Sequence, residues 1–346
     1  MKNQFVLLAT CITVFSTCNG RGFTFSEKTF KESSKDYSFI QEYKVSSPAD
    51  LKISTTGGNI KTLGREGDMI EVSFIVKKRN QVLDITLDEL KQLAEVEIKN
   101  SNNGLEISIK KTFERNISVG FIIKTPLKTS ANLNTSGGNI SIEEITGTHH
   151  INTSGGNIDF DKISGTVKAG TSGGNVSINN SNADFDASTS GGNISMNNIT
   201  GKLHVSTSGG NIDAESVKPE INAYTSGGNI HLKRVQGPVD VNTSGGSIHL
   251  DEIAGSVKAI TSGGDISANI SQLSTKLELE TSGGSINATV PAGLGMDLDL
   301  SADHIDTHLV NFTGSSKKEK IKGQMNGGGI LVHLSTSGGS ISLDYK

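Results

Sequence analysis

The sequence predicts an all-β protein whose body is a parallel β-solenoid with coils of 18 residues and β-rich caps at both ends. Three observations predict it. Thr-Ser-Gly-Gly opens at Thr135 and returns every 18 residues at Thr153, Thr171, Thr189, Thr207, Thr225, Thr243 and Thr261, then after 20 at Thr281. A fixed short period marks a repeat architecture. Apolar residues alternate with polar ones after each motif, as in Ile140 and Ile142, Ile158 and Phe160, Val176 and Ile178, Ile194 and Met196. That is the period of a strand with one buried face. Finally, 41 residues are glycine, aromatics are only 5% and tryptophan is absent, so the core must be narrow and aliphatic.

A second short strand precedes each threonine: Val167 and Ala169, Phe185 and Ala187, Leu203 and Val205. Its alternation carries Thr171, Thr189 and Thr207 inward. One coil cannot bury its own apolar face, but coils stacked about 4.8 Å apart can, and eight steps make a rod of roughly 40 Å. The Ser-Gly-Gly turn is expected to use glycine for positive φ. The second turn is expected near Gly147, Gly165, Gly201, Gly237 or Gly255. Asn139, Asn157, Asn175, Asn193, Asn211 and Asn229 would stack as a ladder, amide on amide, along the axis. The apolar pattern, read at positions 140, 142, 145, 149 and 151, does not recur every six residues, and parallel crossovers are right-handed as a rule, so the solenoid is expected to be right-handed. The repeat lacks the third glycine and the aspartate of calcium-binding nonapeptides, so calcium is not expected.

The remaining elements follow in chain order. Residues 1–18 read as a secretory signal, with Lys2 ahead of the apolar run Phe5 to Phe15. That run is too short to span a bilayer. The two cysteines, Cys11 and Cys18, both fall in this segment, so no disulfide framework is expected. Cys18 closes the apolar run, an arrangement that resembles a bacterial lipoprotein signal with Cys18 as the lipidated residue. Ordinary cleavage between Cys18 and Gly20 is the alternative. Residues 19–50 are polar and read as a tether. Residues 51–134 read as an isolated first coil, with Thr55-Thr56-Gly57-Gly58-Asn59-Ile60, followed by a β-rich cap. In that cap Met69 to Val76 is a strand and Leu87 to Leu93 a short helix. Asn102-Asn103-Gly104 turns a hairpin, and Asn116 to Lys124 is a strand ended by Pro126. Residues 135–290 are the regular solenoid. Residues 291–346 form the second cap: Met296 to Leu300, a charged loop at Lys317-Lys318-Glu319-Lys320, and a final coil from Ile330 through Thr336. Caps are required because an uncovered end strand would template aggregation.

The Ser-Gly-Gly-Asn-Ile coils resemble a bacterial domain family of unknown function that carries an adhesin label. So do the early Thr-Gly-Gly-Asn-Ile, Thr125-Pro126-Leu127 and Asn326-Gly327-Gly328-Gly329 with its final Thr-Ser-Gly-Gly. The resemblance covers roughly residues 50–346. It implies an envelope protein with a β-solenoid body, and it transfers no catalytic residue.

Stacking makes outward columns legible. Lys168, Asp186 and His204 follow one another, Asp240 stands beside Lys258, and Glu144 meets Lys162. Lys233 meets Asp251, and Arg234 meets Glu252. Such pairs read as a solvated face held in register, or as a face for glycan. Asp213, His231 and His249 share a column of metal-ligand types, but a flat strand face converges poorly on one ion. His304 and His308 lie in a region of strand alternation. Glu143 with Asp161, and Asp184 with Asp186, are paired outward carboxylates, yet short coils leave no loops to wall a catalytic groove. An ice-binding face would need outward threonines, and these point inward. The formal net charge of −4, without a basic patch, excludes a nucleic-acid partner. The expectation is therefore a non-catalytic exported protein of the cell envelope, either an outer-membrane lipoprotein or a protein of the periplasm or surface. It would have no metal and no cofactor. Its partner would be a surface glycan or protein, and membrane contact would come only through the anchor at Cys18. The alternatives are a structural spacer and a polysaccharide-active β-helix enzyme. Tyr224 is the one aromatic expected to face outward in the array.

Overall fold

The computed structural model describes residues 36–346. The expected signal at 1–18, with Cys11 and Cys18, lies outside those residues, as does the first part of the expected tether. Coils between 129 and 290 stack as parallel strands in one-to-one register. On one side Ile140 lies beside Ile158, Ile158 beside Val176 and Val176 beside Ile194. On the other, Val167 lies beside Phe185, Phe185 beside Leu203 and Leu203 beside Ile221. Identical positions thus fall on identical positions, as the period requires. Each inward isoleucine of the column from Ile60 to Ile341 is fully buried, worth about 2 kcal/mol relative to exposure. The two extra residues of the 20-residue interval are absorbed at a corner, where the pairing steps from Gly255 with Leu273 to Val257 with Leu277.

Two latches close the Ser-Gly-Gly turn. The first is the inward threonine. Thr153 Oγ1 donates to the Gly138 carbonyl of the preceding coil at 2.8 Å, and the Gly156 amide of its own turn donates to that hydroxyl at 3.2 Å. The donation to the preceding coil repeats from Thr55, on Val119, to Thr336, on Gly284. Valine would pack as well but would leave a carbonyl unsatisfied, and that asymmetry selects threonine. The second latch is the second glycine of the pair. A Cβ on Gly156 would lie 1.9 Å from the Gly138 carbonyl oxygen. The expected positive φ is therefore not what selects glycine here: the turn glycines have no such φ, and close approach between coils excludes a side chain.

The other corner falls earlier than expected. Glu144, Lys162, Asn180, Asn198, Ser216, Arg234 and Glu252 have φ between 49° and 59°. One left-handed residue per coil shifts the strand phase, so strand Ile212–Thr225 buries 212 and 214 and then 217. Gly165, Gly201 and Gly237, with φ of 110°, 149° and 137°, complete the corner in three coils.

At both ends the stacking order departs from the chain order. Strand Ala49–Thr55 pairs with Thr129–Thr135 on one side and with Gly104–Thr112 on the other. Ile60–Arg65 likewise sits between Ile140–Glu143 and Ile117–Pro126. The first coil is thus not isolated. It is the second layer, and the segment that interrupts the period folds back beneath it as the terminal layer. The far end mirrors this. Ile330–Thr336 inserts between residues 276–281 and Met296–Ser301, and Ser340–Tyr345 between Ile286–Val290 and His304–Thr307.

Antiparallel strands cover both terminal layers. Met69–Lys78 lies on Ile117–Pro126, and Ala94–Ser101 on Gly104–Thr112. Lys320–Met325 lies on Met296–Ser301 and carries Phe312–Lys317, so the expected charged loop is the tip of a hairpin. The tether expected to reach residue 50 ends sooner. Phe39–Lys44 is a strand on Met69–Lys78, because Phe39 stacks on Phe74 at 4.5 Å and Phe74 meets Phe121 edge-on at 5.2 Å. Helix Leu87–Leu93 forms where expected, with Thr86 and Glu89 closing a capping box.

Candidate interaction surface

The turns of the solenoid carry a second ladder on the outside. The backbone N–H of Asn157 donates to Asn139 Oδ1 at 2.8 Å, that of Asn175 to Asn157 Oδ1 at 2.9 Å, and that of Asn193 to Asn175 Oδ1 at 2.8 Å. The ladder begins at Asn59, which receives the Asn139 amide at 2.9 Å. It continues beyond Asn229 with other acceptors. Ser247 donates its amide to Asn229, Asp265 to Ser247, Ser285 to Asp265 and Ser340 to Ser285. The asparagines were expected to bond amide to amide. Each instead bonds the next backbone N–H, because that N–H points along the axis at the turn and needs an acceptor. Bonds between side-chain amides occur elsewhere, as from Asn198 to Asn180 at 3.1 Å.

The lateral faces hold the charge columns largely as the register predicts. Lys168 lies beside Asp186 at 3.9 Å, Lys162 meets Glu144 at 2.6 Å, and Lys233 meets Asp251 at 3.4 Å. Asp186 is followed by His204, and Asp240 by Lys258. Arg234 departs from expectation. It turns back to Glu215 and Ser216 of the preceding coil instead of forward to Glu252. Beside the first of these columns is a shallow depression of about 360 Å³, edged by Asp184, Asp186, Lys202, His204 and Glu220. Its floor is the buried row Val167, Phe185 and Leu203. Tyr224 is half-buried, with its ring centroid 5.7 Å from that of His204, and burial pushes its hydroxyl pKa up, with Asp240 adding to the shift.

Asp213, His231 and His249 do form one column. The His231 and His249 rings are 5.0 Å apart, and His231 Nδ1 is 3.9 Å from Asp213. Burial raises the Asp213 pKa against the opposing pull of His231. Among the described residues no group of three or more His, Cys, Asp or Glu is arranged to hold a metal. His304 lies in the strand His304–Thr307 and His308 beyond its end, so they share no helical face. Of the carboxylate pairs, Glu143 is engaged by Lys61 at 3.0 Å. Asp184 accepts the Lys202 amide at 2.7 Å. Asp159 is raised by burial and then by Glu143.

One position of the expected apolar set, 149, holds a polar residue. His149 is completely buried, flanked in register by Ala131 and Val167. Neither of its ring nitrogens has a hydrogen-bond partner. Burial, then the neighbouring His150, lowers its pKa from 6.5 to about 4. The signal was present in the sequence: a histidine occupies a column otherwise filled by apolar residues.

This architecture defines a repeat protein of the parallel β-solenoid class whose outer columns are polar and periodic. Residues 182–344 match the family model described as Toastrack DUF4097, in keeping with the resemblance carried by the coil motif. Three solved bacterial structures are similar, described as putative adhesins or cell adhesion proteins. That from Clostridium sporogenes is 14% identical, with 89% of this chain and 99% of that one covered and a TM-score of 0.20. That from Bacteroides fragilis is 16% identical, with 88% and 96% covered and a TM-score of 0.29. That from Parabacteroides distasonis is 15% identical, with 89% and 98% covered and a TM-score of 0.31. Comparison with curated proteins gave no match.

Proposed function

We propose that this chain is an exported, non-catalytic cell-envelope protein that works as an adhesin or surface-interaction module, anchored through a lipid on Cys18. The observation that carries the reading is the one-to-one register of the coils from 129 to 261, resumed after the corner that absorbs the two extra residues of the next coil. It holds each exposed polar side chain at a fixed repeat from its copy in the next coil. A rigid periodic face loses little conformational freedom on binding. It also multiplies weak contacts, because each engaged coil raises the effective concentration of the next. The coils close in short turns, so the lateral faces stay open to an extended partner.

The test is protease shaving of intact cells, run beside metabolic lipid labelling of the wild type and Cys18→Ala, with adhesion measured for a deletion strain. Digestion on intact cells, label lost in the variant and reduced adhesion are the expected results. Protection until the envelope is opened would replace the adhesin reading with that of a periplasmic spacer.

A further inference from the structure

The turn Thr-Ser-Gly-Gly-Asn has two features that the fold does not require, and they lie side by side on the surface. The first is half of each ladder asparagine. A backbone N–H can only donate, so the atom that receives it must be Oδ1, and the Nδ2 group is left over. From Asn59 through Asn139 and every eighteenth residue to Asn229 the side chain is exposed, and its Nδ2 bonds no other group of the described protein. The same ladder shows that an amide is not needed for its structural task. Ser247 and Ser285 accept the next N–H at 3.2 Å, and Asp265 does so at 2.7 Å.

The second feature is the first glycine of each pair. Unlike its neighbour it has room from Gly137 to Gly227: a Cβ on Gly137 would meet nothing within 4 Å, and on Gly209 its nearest contact would be at 3.7 Å, whereas on Gly263 the Gly245 carbonyl would be at 3.2 Å. Neither glycine has a positive φ. A side chain would fit in the coils from Gly137 to Gly227, yet each of them leaves the backbone bare. A bare backbone between a serine hydroxyl and an amide is what close approach of a ligand requires.

We propose that this edge of the solenoid is a linear binding site for a neutral polysaccharide chain. The proposal deepens the surface-binding function above and rests on it. Over six coil steps, about 29 Å at the strand spacing, the edge presents a row of rigid NH₂ donors beside serine hydroxyls that donate and accept. Sugar hydroxyl and ring oxygens are the matching acceptors, and the rise per sugar of an extended β-linked chain is comparable to the coil spacing. From the Asn59 coil to the Asn229 coil the exposed positions of this edge, Ser136, Gly137 and Asn139 and their copies, are uncharged. The adjoining outward column carries Asp159 and Asp213 against one cation, Lys61, so it offers no cationic row to an anionic polymer. The ladder holds each amide in place before binding, so its rotamer entropy is already lost in the free protein.

The test uses the full-length protein and the triple variant Asn175→Ser, Asn193→Ser, Asn211→Ser. Serine preserves the ladder acceptor, as Ser247 does, and an unchanged melting temperature confirms it. Retention is measured on cellulose, β-1,3-glucan and mannan, with sulfated dextran as the charged control. The wild type is expected to bind at least one neutral polymer with little dependence on salt. The triple variant is expected to bind it at least about tenfold more weakly. Equal retention of the variant, binding to sulfated dextran alone, or retention on none of the polymers would overturn the assignment. Adhesion of the deletion strain is read independently, so failure of this edge with adhesion intact is distinct from failure of the adhesin function.

Discussion

Thr207 donates its hydroxyl proton to the carbonyl of Gly192, in the coil before it, at 2.8 Å. The same oxygen accepts the Gly210 amide of its own turn at 3.2 Å. One buried hydroxyl therefore joins two coils and closes a turn. Thr207→Val keeps the shape and removes both bonds, leaving a buried carbonyl and amide unpaired at a cost of about 1–3 kcal/mol. Thr207→Ser keeps the hydroxyl and should lose less. Urea unfolding of the two variants orders them, and valine equal to the wild type would show that packing alone selects the residue.

The paired glycines of one turn should respond in opposite ways. A Cβ on Gly210 would fall 1.9 Å from the Gly192 carbonyl oxygen, whereas on Gly209 it would reach only van der Waals contact at 3.7 Å. Gly210→Ala has to push two coils apart and should cost about 3 kcal/mol or more. Gly209→Ala should change stability by less than about 1 kcal/mol. Thermal melts of the two single variants decide it, and similar losses in both would refute the close-approach account.

These residues also show what the sequence could and could not convey. The repeat, the strands and the inward threonine were legible because they follow side-chain chemistry at a fixed period. The reason for Gly156 was not, because its constraint is the backbone of another coil and leaves the same letter as a left-handed turn. The second corner was misplaced for the opposite reason. Its left-handed position holds Glu144, Lys162, Asn180, Asn198, Ser216, Arg234 and Glu252 in turn, so no single residue type marks it. Of the candidate surface, the charge columns followed from register alone. The orientation of Arg234 did not, because a long side chain can reach either neighbouring coil.

The interleaved ends lead to a truncation experiment. Thr336 donates to Gly284 at 2.7 Å, and Ile341 lies beside Ile286. The final coil is therefore a middle layer and not a loose tail. Ending the chain after residue 290 would expose the edges of residues 276–281 and of Ile286–Val290, both of which pair in parallel with the final coil. Such edges pair with other chains. The truncated protein is expected to elute as soluble aggregate or to be lost on size-exclusion chromatography. A monodisperse, fully folded product would show that the regular coils need no cover.

His149 sets the acid response. Its folded pKa is about 4, against 6.5 in the open chain, because burial disfavours the charged ring and His150 adds to the effect, against a lesser opposing pull from the Ser164 backbone. The unfolded chain therefore takes up a proton between pH 6.5 and pH 4 that the folded protein refuses. Stability should fall as pH drops through that window and level off below it. For a side chain with no solvent exposure the full effect is about 3 kcal/mol. His149→Val, which copies Val167 in the next coil, should remove this part of the acid sensitivity and raise stability at pH 5. Urea midpoints at pH 7 and pH 5 for the two proteins measure it. An equal fall in both would assign the acid response to other groups.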